Sequence, residues 1–192
     1  MSIEKFNFRN GVLALFILGA AATRLVHLGE VSQWANFSPL GAMSLFGGVY
    51  FSDKRKAFAV PLITMAISDV FIYYSYFGKV VFFYDGAFWV YLSFALMVLL
   101  GTYIKKVNFR NIALASLATV VIHWLVSDIE PWLYGNIYPK TFSGYIQCLI
   151  MAIPYEKNLL LGNAVFGLLM FGGFELAKSK FWFLRTEKDL LY

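Results

Sequence analysis

The 192-residue sequence contains one cysteine and two histidines. One cysteine cannot form an internal disulfide, and it cannot build a metal site from several thiolates. His27 and His123, with Asp69 and Asp128, are candidate metal ligands, but no spacing places two of these four on one helix face. The sequence also lacks a nucleophile elbow, a zinc-protease motif and a phosphate-binding glycine loop. We therefore expect no metal, no cofactor and no enzymatic activity.

Charged residues are also scarce. They make up 14% of the sequence, against 60% hydrophobic residues, whereas about a quarter of the residues in a soluble domain are charged. Aromatic residues reach 19%, and Trp and Tyr favour the headgroup region of a bilayer. This composition predicts an all-α membrane protein embedded in the lipid bilayer, with a single domain over residues 1–192 and no separate soluble domain.

Apolar stretches that predict membrane spans occur at Gly11–Leu28, Ser38–Phe51, Ala57–Phe77, Ala87–Ile104, Ile112–Ser127 and Leu159–Ala177. Six crossings with both termini inside place 12 of the 16 Lys and Arg residues on the cytoplasmic side; the other 4, at or near the outer side, are Arg24, Lys79, Lys140 and Lys157. This asymmetry follows the positive-inside rule. It accounts for the net charge of +5 without a nucleic-acid partner. A signal peptide ending near Ala20–Ala22 is an alternative, but its removal would destroy the asymmetry.

The second span, within NFSPLGAMSLFGGVYF, is unusually short. Its 14 residues from Ser38 to Phe51 would form a helix of about 21 Å, whereas a bilayer core is roughly 30 Å thick. Its small residues, which permit close helix packing, are Gly41, Ala42, Ser44, Gly47 and Gly48. We predict a helix capped by Ser38 and enclosed by protein, with Gly29–Phe37 folding into the outer leaflet over a cavity.

The long outer connection, Asp128–Asn158, precedes the last span. A connection of this length is usually functional. Its apolar part, Phe142–Ile153, is too short to span a bilayer, and we predict a short separate helix that lies on or dips into the outer leaflet.

Polar side chains recur at one depth in the outer half of the predicted bundle. Those on the spans are Arg24, Asp69, His123, Trp124, Asp128 and Asn163, and those on the outer connections are Trp34, Asn36, Trp132 and Tyr155. Ionisable groups at membrane depth are costly unless paired or hydrated. We predict that these ten residues line an outward-facing pocket for a small-molecule ligand. The alternative is that Arg24 and Asp69 form a packing pair while His123 bonds a backbone carbonyl.

Four segments carry a resemblance to a known group of proteins. They are NFSPLGAMSLFGGVYF, PLITMAISD at Pro61–Asp69, YPKTFSGYIQC at Tyr138–Cys148 and IPYEKNLLLGN at Ile153–Asn163. In this order they resemble an uncharacterised bacterial family of small six-helix membrane proteins, over about Arg24 to Glu175. More widely, the chain is similar to the S components of energy-coupling-factor transporters, which bind vitamins or related micronutrients from the outer side.

That resemblance implies a multi-pass protein of the bacterial inner membrane that binds a vitamin-like or heterocyclic micronutrient for uptake, with an energising module or other membrane subunits as partners. The first helix offers only Gly11 and Ala14 where S components commonly carry a small-residue docking pattern. An accessory subunit of a larger membrane complex is therefore the alternative, and a membrane enzyme or an ion pathway has no motif in its favour.

Overall fold

A computed structural model describes residues 8–25 and 34–186. In these two ranges all regular secondary structure is helical: α1 (Phe8–Ala22), α2 (Leu40–Tyr50), α3 (Lys54–Phe77), α4 (Ala87–Thr102), α5 (Phe109–Ser127), α6 (Ile129–Leu133), α7 (Phe142–Gly167) and α8 (Gly173–Lys180). A 3₁₀ turn, Thr23–Leu25, continues α1. A π turn, Leu168–Gly172, joins α7 to α8, and a 3₁₀ turn, Trp182–Leu184, follows α8.

Four helical segments of the described chain are long and apolar enough to cross a membrane: Phe8–Leu25, Lys54–Phe77, Phe109–Leu133 and Phe142–Lys180. The apolar helices α2 and α4 are shorter, with 11 and 16 residues. Length and composition therefore indicate an all-helical, multi-pass membrane protein.

The ends of several helices differ from the predicted spans. The basic segment Lys54–Lys56 forms the first turn of α3, because the Asp53 carboxylate caps it by accepting a hydrogen bond from the Arg55 N–H. Pro61 consequently lies inside the helix rather than in its first turn. Asn108 caps α5 in the same way, so this helix begins at Phe109, three residues before the predicted start at Ile112. The last residues of the first predicted span, 26–28, lie outside the described ranges.

The predicted Ser38 cap is wrong. Pro39 occupies the flanking position, and its carbonyl accepts the first helical hydrogen bond from Met43 at 2.8 Å. The Ser38 hydroxyl lies 3.4 Å from the Leu40 N–H, which is long for a capping hydrogen bond. The helix α2 therefore begins at Leu40.

The predicted enclosure of α2 is confirmed, since ten of its 11 residues are buried. Glycines permit this packing: a Cβ added to Gly48 would lie 2.1 Å from the Val98 carbonyl oxygen of α4. On other sides of α2, a Cβ on Gly47 would meet the ring of Pro61 in α3, and one on Gly41 would meet the Asn163 amide of α7. Three neighbouring helices thus approach α2 closely, as small interface residues allow.

The separate outer helix predicted at Phe142–Ile153 does not exist as such. These residues form the first half of α7, which continues through Pro154 and, with the π turn and α8, extends for 39 residues to Lys180. Thr141 caps its start. The Tyr145 hydroxyl donates a hydrogen bond to the Leu125 carbonyl of α5, so protein contacts hold this segment. The short helix in the connection is instead α6.

Aromatic side chains fill one end of the bundle. Phe46 packs against Phe16, Tyr50 and Phe174, with ring centroids 4.7–5.8 Å apart. Tyr50 donates a hydrogen bond to the Glu175 carboxylate at 2.7 Å, and Lys178 forms an ion pair with the same carboxylate at 2.9 Å. This end is densely packed, and the candidate site lies toward the other end.

Candidate functional site

A cavity of about 360 Å³ lies where the end of α1 meets α3, α4, α5 and the middle of α7. Its lining includes polar side chains from six separate segments as well as apolar ones. The lining residues are Arg24, Asn36, Ser38, Leu40, Met65, Asp69, Tyr84, Val90, Phe94, His123, Ser127, Asp128, Ala152, Tyr155, Glu156 and Leu159. Two groups of polar side chains stand on different sides of this space.

The first group, the arginine network, comprises Arg24, Ser68, Asp69 and Tyr91. Arg24 donates from one guanidinium nitrogen to Asp69 Oδ1 at 2.7 Å and from the other to the Ser68 hydroxyl. Tyr91 donates to Asp69 Oδ2 at 3.1 Å. Both oxygens of the Asp69 carboxylate therefore have a protein donor, and its charge is balanced by the guanidinium.

Tyr84, in the connection between α3 and α4, lies next to this network. Burial raises the pKa of Tyr84 to about 12, and the nearby Asp69 carboxylate acts in the same direction. The phenol therefore stays protonated at neutral pH, and it presents a hydroxyl group and an aromatic face to the cavity.

The second group, the histidine network, comprises His123, Ser127, Asp128 and Glu156. The His123 Nδ1 atom lies 2.8 Å from Glu156 Oε1 and 3.3 Å from the Ser127 hydroxyl. That hydroxyl also donates to the His123 carbonyl at 2.8 Å. The alternative in which the His123 ring bonds a backbone carbonyl does not describe the Nδ1 atom, which is bound by the Glu156 carboxylate of α7.

Two carboxylate oxygens of the histidine network are incompletely paired. Glu156 Oε2 and Asp128 Oδ2 are buried, and no donor within the described residues reaches either atom. Glu156 is 6% exposed. Buried polar atoms without partners are uncommon and call for an explanation. Among the described residues, no group of three or more His, Cys, Asp or Glu side chains is arranged to hold a metal ion.

The connection before α2 brings a further amide to the cavity. Asn36 has a φ of 66°, in the left-handed region that asparagine tolerates better than most residues. Asn158 of α7 donates to the Ala35 carbonyl at 2.9 Å and so ties this connection to α7. Of the segment predicted to fold over the cavity, residues 29–33 lie outside the described ranges.

The structure brings together six of the ten predicted site residues. Those on the cavity lining are Arg24, Asn36, Asp69, His123, Asp128 and Tyr155. The pairing of Arg24 with Asp69 is present; their role in binding stays a prediction.

The other four predicted site residues are not on the cavity lining. The Trp124 indole donates to the Leu149 carbonyl at 2.8 Å and thereby joins α5 to α7. Asn163 donates to the Thr119 hydroxyl at 2.9 Å, deeper in the bundle against α2. Trp132 donates to the Pro139 carbonyl at 3.0 Å, and Trp34 is half exposed and packs on Phe37.

Glu156 is the most important lining residue that the sequence analysis missed. The segment PYEKN at residues 154–158 was predicted to end the outer connection, whereas it lies in the middle of α7. Ser127 and Phe94 were also missed. Ser127 lies four residues after His123, one helical turn away on the same face, and this spacing could have identified it.

These features define a class: an all-helical, membrane-type protein with a polar cavity between its helices. A family model described as a family of unknown function, DUF6580, matches residues 4–187, and the chain belongs to that family. No curated protein and no solved structure gives a significant match to the chain.

Proposed function

We propose that this protein is the substrate-binding membrane component of an uptake system in the bacterial inner membrane, and that it captures a small vitamin-like or heterocyclic micronutrient. The observation that carries the proposal is the cavity, which is lined by polar, aromatic and apolar side chains, among them two carboxylates that each keep a buried oxygen without a partner in the described residues. Its volume of about 360 Å³ falls within the range of roughly 300–1,000 Å³ for small-molecule sites.

The proposed topology has six crossings with both termini in the cytoplasm. Basic residues support it, because Lys54–Lys56 begin α3, Lys105 and Lys106 precede α5, and Lys178 and Lys180 end α8. All of these lie at the opposite ends of their helices from the cavity residues. Under the positive-inside rule the cavity then opens to the outer side, where a nutrient would arrive.

In this proposal α2 and α4 complete the six crossings despite their length. An 11-residue helix reaches only about 17 Å, but α2 is surrounded by protein, and non-helical backbone is tolerated at membrane depth when protein or water covers it. The remaining depth above α2 is then the cavity itself, with Leu40 and Ser38 at its floor.

Capture alone does not move a substrate, so the proposal includes a partner: an energising module of the energy-coupling-factor type or other membrane subunits. The resemblance of the SPLGAMSLFGG segment to S components supports the first. The accessory-subunit alternative requires no ligand, and this difference makes the two functions separable.

The test is native mass spectrometry on protein extracted with mild detergent from its own host. We expect a retained small molecule with the wild-type protein, and its loss with Ala152→Phe, which fills the cavity from α7 regardless of ligand charge. Ala164→Phe is the matched control, because Ala164 lies on the outer face of the same helix and should retain the molecule. Copurifying membrane subunits with an empty cavity in the wild type would instead identify an accessory subunit.

A further inference from the structure

The charges on the cavity lining do not balance. Three carboxylates line it, those of Asp69, Asp128 and Glu156, against one guanidinium, that of Arg24. The described lining therefore holds more acidic side chains than basic ones. A carboxylate that is buried away from bulk water is costly unless a cation or a set of donors compensates its charge.

The carboxylates that lack a compensating partner belong to the histidine network. Asp69 is saturated by Arg24 and Tyr91, so the arginine network needs nothing further. Glu156 uses only one oxygen on His123, and Asp128 Oδ2 has no partner within the described residues. Glu156 is more than nine-tenths buried, so bulk water compensates it poorly.

We infer that the ligand presents a positively charged nitrogen group to Asp128 and Glu156, with a compact apolar or heterocyclic body toward Phe94 and Tyr84. This inference rests on the proposed capture function and specifies its substrate class. An ammonium, amidinium or charged ring nitrogen offers the donors that the two open carboxylate oxygens lack, and charge-assisted hydrogen bonds are the strong ones.

The remaining lining fits the body of such a molecule. The centroid of the Phe94 ring lies 5.6 Å from that of the His123 ring, which binds Glu156, and aromatic faces attract cations. Val90, Met65 and Leu159 supply apolar surface. A carboxylate or phosphate group would instead meet two carboxylates and a guanidinium already balanced by Asp69.

The test compares three probes that share one indole ring and differ in side-chain charge: tryptamine, tryptophol and indole-3-acetate. With the purified full chain in detergent, we expect tryptamine to raise the Tm in a dose-dependent way, because a ligand that binds only the folded state stabilises it. Tryptophol should have a much smaller effect and indole-3-acetate none. Equal effects of tryptamine and tryptophol, or a larger effect of the anion, would overturn the inference.

Isosteric variants locate the charge. Glu156→Gln and Asp128→Asn should each weaken tryptamine binding by at least about tenfold, the loss of a charge-assisted hydrogen bond. Asp85→Asn removes an exposed carboxylate outside the cavity. It should leave tryptamine binding unchanged and is the control for the two cavity variants. Unchanged binding in both cavity variants would overturn the inference, and if either fails to fold, the three-probe comparison on the wild type decides.

Two outcomes separate this inference from the proposed function. A neutral or anionic molecule that is retained from the host and released by Ala152→Phe would disprove the cationic ligand and leave capture standing. An empty cavity in the wild type would disprove both. A rise in Tm with Mg²⁺, Ca²⁺ or Zn²⁺ but not with tryptamine would also overturn the inference, since the site would then hold a metal ion.

Discussion

The arginine network and the histidine network face the same cavity, yet they differ in how completely their hydrogen bonds are made. Asp69 receives donors on both oxygens, from Arg24 and Tyr91. Glu156 receives one from the His123 ring, and Asp128 Oδ2 receives none within the described residues. The ion pairs of the two networks are similarly buried. The networks therefore differ in how many carboxylate oxygens have a hydrogen-bond donor, and not in burial.

That difference separates two roles which charge and depth alone do not distinguish. A buried ion pair with all its partners holds helices together, and removing one partner is costly because the other charge is left alone. A buried carboxylate with an unpaired oxygen is already destabilising in the free protein, and a ligand that donates a hydrogen bond to that oxygen would remove this destabilisation. The arginine network is thus expected to act on stability, and the histidine network on binding.

The largest effect is expected from Asp69→Ala. It leaves the Arg24 guanidinium, with a side chain only 13% exposed, without its counter-ion, and breaking a buried pair costs about 3–5 kcal/mol. Denaturation of the purified protein measures this loss. Asp85→Ala, which removes an exposed carboxylate, should change the free energy of unfolding by less than about 0.5 kcal/mol. Equal losses would mean that the arginine network is not structural.

A sharper comparison uses the same isosteric change on both networks. Asp69→Asn removes a charge-assisted hydrogen bond to Arg24 and should cost about 1.5–3 kcal/mol. Asp128→Asn removes a carboxylate with an unpaired oxygen and should change the free energy of unfolding by less than about 1 kcal/mol in either direction. The same denaturation series measures both, and a larger loss for Asp128→Asn would reverse the assignment of roles.

The double variant Arg24→Met with Asp69→Leu should recover most of the stability lost in Asp69→Ala. Replacing a whole buried ion pair by apolar side chains is often neutral, because no isolated charge remains. The Ser68 and Tyr91 hydroxyls lose partners, so we expect a net loss below about 2 kcal/mol. A double variant no more stable than Asp69→Ala would show that these hydroxyls, and not the lone charge, dominate.

The smallest effect is expected at the connection before α2. Asn36→Gly keeps the φ of 66° without strain and should unfold within about 1 kcal/mol of the wild type. Asn36→Val should lose about 1–2 kcal/mol, because a β-branched residue disfavours the left-handed region. If both variants unfold alike, the connection does not hold that backbone conformation.

The enclosure of α2 could be predicted from the sequence, because small residues such as Gly47 and Gly48 indicate that neighbouring helices pack closely against it. It did not allow α7 to be predicted as one helix. Pro154 is followed by three polar residues, Glu156, Lys157 and Asn158. Such a polar segment after a proline is typical of a connection between helices. The polarity instead arises because Glu156 faces a cavity and Asn158 binds the Ala35 carbonyl.

The depth of the polar residues could likewise be predicted, but their direction around each helix could not. Trp124 follows His123 directly, yet its indole bonds to α7 while the histidine ring faces the cavity. When a helix is apolar on nearly every side, its sequence does not show which face is directed toward the interior of the bundle. Only the packing of α5 on α7 decides which of the two neighbours lines the cavity.

The enclosure of α2 has a consequence for how the protein responds to its lipid surroundings. Bilayers differ in thickness, and spanning helices adjust by tilting or by thinning the membrane around them. Since ten of the 11 residues of α2 are buried, lipid chains contact the surrounding helices instead. Leu40, which begins α2 and lines the cavity, is therefore shielded from hydrophobic mismatch.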